Sequence, residues 1–288
     1  MKFLAIIEAT IREGIARKTI LGMFIVSTVT IVVAILLFQM NVVQHGLLSP
    51  VSAHTHVQTA QNGVTNNASS LALAGMTVLD MVWMGISSTL LFICVFLGVF
   101  VTAGFITSIM EKGSIDLLLS KPVSRWVYIA GRYTGAVLII FAEVAYLIIG
   151  LWLVAGFSLG AWSPDFLMSI LIITLAFAGV YSLVTLFGVL TRSSWFAIII
   201  GLALYIIGSI VIPLGQFLDK LLNGEPSGGM LTTVSTGLRY LVPSQEMGRA
   251  IASVILRHPI NAGPLFITLG LCVGYVALSC LAFSRKEF

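Results

Sequence analysis

From Val82 to Ser108, and again from Tyr133 to Phe157, the chain is almost wholly apolar and carries a single charge, Glu143. Each run exceeds the ~20 residues that a helix needs to cross a bilayer. In hydrocarbon an unpaired backbone group costs several kcal/mol, so such runs must be helical whatever their propensity in water. Four more runs of the same kind follow the same logic: Ile20 to Phe38, Phe166 to Leu190, Trp195 to Pro213 and Pro264 to Phe283. The composition agrees. The chain is 58% apolar and 9% charged, against about 25% charged in an average soluble domain. The sequence therefore predicts an all-α, polytopic integral membrane protein with six transmembrane helices, built as one unit over residues 1–288.

The cations set its orientation. Spans favour Lys and Arg on the cytoplasmic side. Lys2, Arg12, Arg17, Lys18, Lys112, Lys121, Arg125, Arg132, Arg192, Arg285 and Lys286 fall on one side of a six-span layout, and Lys220, Arg239, Arg249 and Arg257 on the other. Both termini are then cytoplasmic. The loop 39–80 has no Lys or Arg and one acid, Asp80, so it belongs outside. Its stretch 52–67 reads as mobile. The second outer loop, 214–263, contains an amphipathic segment, Gln245 to Leu256, with Met247, Ala250, Ile251 and Val254 on one face.

The N-terminal residues 1–18 also read as an amphipathic helix, lying along the inner membrane surface. Phe3, Leu4, Ile7, Ile11 and Ile15 repeat at helical spacing. Glu8 with Arg12, and Glu13 with Arg17, are four apart and suited to pairing. The first span is not read as a cleavable signal, because no small-residue cleavage site follows it. Ser163 is a plausible N-cap, with Pro164 at the first helical position and Asp165 in the first turn. The brief basic link Thr191 to Ser194 makes the spans on either side antiparallel neighbours.

The segment Ile109 to Arg132 holds charges that the flanking spans lack, so it is a compact water-facing hinge. Ile115, Leu117, Leu118 and Leu119 form an apolar ridge beside Glu111, Lys112 and Asp116. Gly113 permits a tight bend or close approach. Pro122 ends the short helix, and Lys121 before it is biased out of the helical region. Arg125, Trp126 and Arg132 are placed to anchor the next span at the headgroups.

The hinge sequence from Glu111 through Ser124 to Arg125, with the six spans and the leading amphipathic helix, closely resembles the permease subunits of ABC-2 type ATP-driven transporters. The nearest branch in resemblance is the NosY-type permeases of copper-enzyme maturation. The resemblance implies that residues 1–18 are an "elbow" helix. It also implies that Glu111, Gly113, Asp116, Leu117, Leu118, Pro122 and Arg125 belong to a cytoplasmic coupling helix that docks on a separate ATPase dimer. A second permease subunit, expected to be an identical copy, completes the assembly. ATP and Mg are expected in the partner, since this chain has no G-x-x-x-x-G-K-[ST] loop.

Other residues carry weaker signals. Glu143 inside a span is costly in hydrocarbon and is a functional candidate by default. It either lines a substrate path, pairs across a dimer, or is a neutral, internally bonded side chain. His45, His54 and His56 share the outer loop, and His258 lies beside Pro259. They read as solvated or structural, not as metal ligands. Cys94, Cys272 and Cys280 read as buried hydrophobes, with no metal or disulfide role. Gly131 and Gly135, four apart, allow close helix approach. Trp83, Trp152, Trp162 and Trp195 read as interface anchors.

The leading function is therefore the membrane subunit of an ATP-driven exporter or translocator, not an enzyme. The alternative is a force-transmitting subunit that drives an outer-side accessory protein without moving a substrate itself. Lipid and the ATPase are the expected partners, and nucleic acid is not.

Overall fold

The computed structural model describes residues 2–16, 18–39, 78–107, 124–159, 162–223, 237, 247–255 and 262–284. Among these the regular structure is helical throughout. The order is α1 (Lys2–Ala16), α2 (Lys18–Gln39), α3 (Val78–Thr107), α4 (Arg125–Leu159), a 3-10 turn (Pro164–Met168), α5 (Ser169–Thr191), α6 (Ser194–Asn223), α7 (Met247–Ile255) and α8 (Gly263–Ser284). Among the described residues, four stretches are long and apolar enough to cross a membrane: Trp83–Phe105, Trp126–Ser158, Pro164–Thr191 and Gly263–Ser284. They match predicted spans two, three, four and six. The N-terminal pair, bent by 67° between α1 and α2, makes a fifth if it is counted as one span. Predicted span five falls in α6, whose apolar part, Ser194–Ile210, is shorter.

The 109–132 hinge divides in the structure. Its residues from Arg125 to Arg132 form the first turns of α4, and residues 109–123 lie outside those described. The helix can begin here because Pro122 is behind it and the Ser124 carbonyl accepts the Tyr128 N–H at 3.2 Å. At the far end of the bundle, α6 runs through Pro213 to Asn223, beyond the expected end of span five. A proline inside a helix removes one N–H and frees the carbonyl four residues back. Ser163 does occupy the N-cap, with Pro164 and Asp165 following, but its hydroxyl makes no capping bond. Its carbonyl instead accepts Trp152 Nε1–H at 2.9 Å.

Helix α5 is the axis of the bundle. Of its spanning window 72% is buried by protein, against 22% for α8. Small residues allow this: Ala176, Ala178, Gly179 and Ser182 all face other helices. Phe177 lies against Gly98 of α3, where an added Cβ would sit 2.9 Å from the ring. Two tyrosines pin the layers together. Tyr181 Oη donates to Thr102 O on α3 at 3.1 Å, and Tyr133 Oη of α4 donates to Ala178 O at 2.8 Å. The rings of Phe177, Tyr181 and Tyr133 stack in sequence at 5.3 and 5.6 Å. Such interhelical bonds average about 0.6 kcal/mol in membranes, so close packing contributes more than the bonds do.

The predicted apolar face of α7 is real. Met247, Ala250, Ile251, Val254 and also Ile255 are buried. They rest on α3, the 3-10 turn and α5, where the sequence suggested an outer membrane surface or a dip into it. Trp83 corrects the tryptophan reading. It is 3% exposed, packed on Phe166 with ring centroids 4.3 Å apart. Trp152 is half-buried, whereas Trp162 and Trp195 are exposed.

Candidate intramembrane polar site

One face of α4 receives the N-terminal helix pair, α1 near its start and α2 further along. The sequence allows it because small residues recur there. A Cβ added to Gly131 would lie 2.8 Å from Ile6 Cγ2, and one on Gly135 would lie 2.8 Å from Thr10 Cβ. The four-residue glycine spacing thus brings α1 onto α4 within the same chain. Further along, Gly150 meets Ile31 of α2, with 2.4 Å from an ideal Cβ to Cδ1. Gly14 of α1 is likewise close to α4, with 2.6 Å from an ideal Cβ to Ile139 Cδ1.

Polar contacts are set between these close approaches. Arg132 donates to Glu13 across the seam and to Tyr128 Oη at 3.2 Å. Its side chain is 14% exposed and that of Glu13 is 31% exposed. Arg132, expected at the headgroups, is engaged inside the protein by Glu13 and Tyr128, and Glu13 reaches α4. The predicted partner of Glu13, Arg17, lies outside the described residues. Glu8 and Arg12 do pair, at 2.7 Å on the exposed face. Among the predicted apolar residues of α1, Ile7 is buried, while Phe3, Leu4 and Ile15 face outward. The polar Thr10 takes a buried position beside Gly135.

Glu143 sits at the middle of this seam and is 8% exposed. Ser27 Oγ of α2 donates to Glu143 Oε1 at 2.6 Å. One turn on, the hydroxyls of Thr28 and Tyr146 are 3.2 Å apart, and Phe24 stacks on Tyr146 with centroids at 4.3 Å. The carboxyl is therefore an internally bonded group that ties α2 to α4. A carboxyl buried without a partner would cost several kcal/mol. The serine lowers that cost and fixes the side chain's direction.

Sequence reasoning found Glu143 and the glycines but missed Ser27, Thr10 and the Glu13–Arg132 pair. Ser27 gave a faint signal, as a polar residue in an Ile- and Val-rich span. Of the predicted coupling residues, Glu111, Gly113, Asp116, Leu117, Leu118 and Pro122 lie outside the described residues. Arg125 opens α4. The predicted loop histidines lie outside as well. Among the described residues no three His, Cys, Asp or Glu side chains group as metal ligands. All three cysteines are free and buried.

No curated protein matches the chain. A family profile described as "ABC-2 family transporter protein" matches residues 5–288. It takes in α1 from Ala5 onward, every long apolar helix and the segment between α3 and α4. The family's members are membrane conduits that work with ATPase subunits and are not themselves catalysts. With its multi-pass helical bundle and a match over nearly its full length, the chain belongs to the ABC-2 family of transporter permeases.

Proposed function

We propose that the chain couples ATP hydrolysis by a separate ATPase dimer to export or translocation across the membrane, paired with a second copy of itself. In this reading six helices cross the bilayer, both termini are cytoplasmic, and residues 111–122 with Arg125 form the coupling helix. The observation that carries it is the position of the N-terminal seam. The helix that emerges from the 109–123 segment is gripped at once by α1, through Gly131, Gly135 and the Glu13–Arg132 pair. Force delivered to that segment would then reach α4 and the N-terminal pair as one body. Alternating access needs such a stiff connection, because a partner shifts a two-state equilibrium only through contacts that differ between the states.

The test is copurification and stimulated ATPase activity of the complex. Replacing residues 111–119 with a Gly-Ser linker is expected to abolish both. Unchanged copurification and activity would overturn the coupling role.

A further inference from the structure

Among the described residues, three buried polar side-chain atoms have no hydrogen-bond partner: Trp83 Nε1, Ser87 Oγ and Ser169 Oγ. Both serines are fully buried. All three lie on α3 or at the start of α5, on the two elements joined by the Trp83–Phe166 contact. Trp83 and Ser87 are one turn apart on α3. Trp83 packs on Phe166, and Ser169 follows Phe166 by three residues. Helices α3 and α5 run side by side in the same direction, since the Trp83–Phe166, Gly98–Phe177 and Thr102–Tyr181 contacts advance together. One turn beyond the Trp83–Phe166 contact, α3 carries Ser87 and the first residue of α5 is Ser169.

Their neighbours show that this is unusual. Ser88 and Thr89 donate to Gly85 O, Thr102 to Gly98 O, Thr174 to Ile170 O and Ser182 to Gly179 O. A helical hydroxyl normally satisfies itself on the preceding turn in this way. Ser87 and Ser169 do not, although a buried unsatisfied group costs about 1–3 kcal/mol. The three atoms supply one obligate donor and two groups able to donate or accept. No charged side chain is among them, so an ionic guest would be buried without compensation. A neutral molecule with both donors and acceptors fits.

We propose that Trp83, Ser87 and Ser169 hold one ordered water, which accepts from the indole N–H and bridges the two hydroxyls. A buried water with about three protein partners is an ordinary structural component. This one joins α3 to the start of α5 beside α7, whose buried face rests on the same elements. Its exchange with bulk requires those elements to part.

The test uses the full chain in lipid nanodiscs. Ser87→Ala and Ser169→Ala are each expected to lower the thermal midpoint by about 2–4 °C. The double variant should lose less than the sum, because both serines share one guest. In the indole-¹⁵N-labelled wild type, Trp83 Nε1–H, identified by its loss in Trp83→Phe, should receive magnetisation from a bound water. Single variants with an unchanged or raised midpoint would overturn the proposal, since removing a dry, unpaired hydroxyl is neutral or stabilising. A Trp83 N–H that receives no water magnetisation would overturn it as well, and that spectrum needs no serine variant to fold.

Discussion

The seam between the N-terminal pair and α4 is built differently from the region where α3, α5 and α7 meet. At the seam, polar side chains find protein partners: Glu13 with Arg132, Ser27 with Glu143, Thr28 with Tyr146. Glycines set the spacing between them. Where α3 and α7 meet the start of α5, large apolar surfaces mate by shape and three polar atoms are left over, and the Tyr181–Thr102 bond joins α3 to α5 only several turns further along. Paired polar groups specify one register, because a slip of one turn would strand a charge or a hydroxyl in hydrocarbon. Shape packing gives cohesion with less dictation of register. The first arrangement suits a joint that must move as a unit. The second suits layers that can part and re-form.

Substitutions can break or sharpen this contrast. The largest loss is expected for Trp83→Ala, which empties the contact with Phe166. Removing a buried aromatic costs about 3–5 kcal/mol, read as the thermal midpoint in nanodiscs. Gly135→Leu should cost less, about 1–3 kcal/mol for overpacking. Because it wedges α1 from α4, it should also uncouple ATPase activity from the permease at temperatures where the bundle is still folded. Equal coupling in the Gly135 and Trp83 variants would remove the distinction between the two regions. Arg132→Met leaves Glu13 without its mate across the seam. Partial exposure moderates the loss to about 1–2 kcal/mol, below the value for a fully buried pair. The exchange Glu13→Arg with Arg132→Glu should restore part of it, and no restoration would mean that the charges act separately. The smallest effect is expected from Ser27→Ala, about 1 kcal/mol, the low end of the cost of leaving a buried acceptor without its donor. A cycle with Glu143→Gln isolates that bond, and a coupling energy near zero would mean that α2 is held by packing alone.

Much of the bundle was legible in the sequence because lipid leaves few options. Apolar runs of sufficient length must be helices, and Gly131 and Gly135 announced a close approach. The buried face of α7 followed from its periodicity at Met247, Ala250, Ile251 and Val254. What could not be read was who meets whom. Glu13 pairs with Arg132 across 119 positions and Ser27 with Glu143 across 116. Periodicity gives a face but not the helix opposite it. Trp83 misled for a related reason. Tryptophan's preference for the membrane interface describes lipid-facing positions, and nothing local showed that this one faces Phe166. Arg132 was read from its charge and its place near a span end, yet α1 had already claimed it.

The reversal between α5 and α6 is made over Arg192, which is the sole described non-glycine residue at positive φ, 55°. Its N–H closes onto Gly188 O at 3.0 Å, and α6 begins two residues later. A left-handed conformation is uphill for arginine by roughly 1–2 kcal/mol, so the fold holds it there. With no slack in so short a turn, neither helix can shift lengthwise past the other at that end. Any rearrangement of the bundle must carry α5 and α6 together, pivoting as a single hairpin.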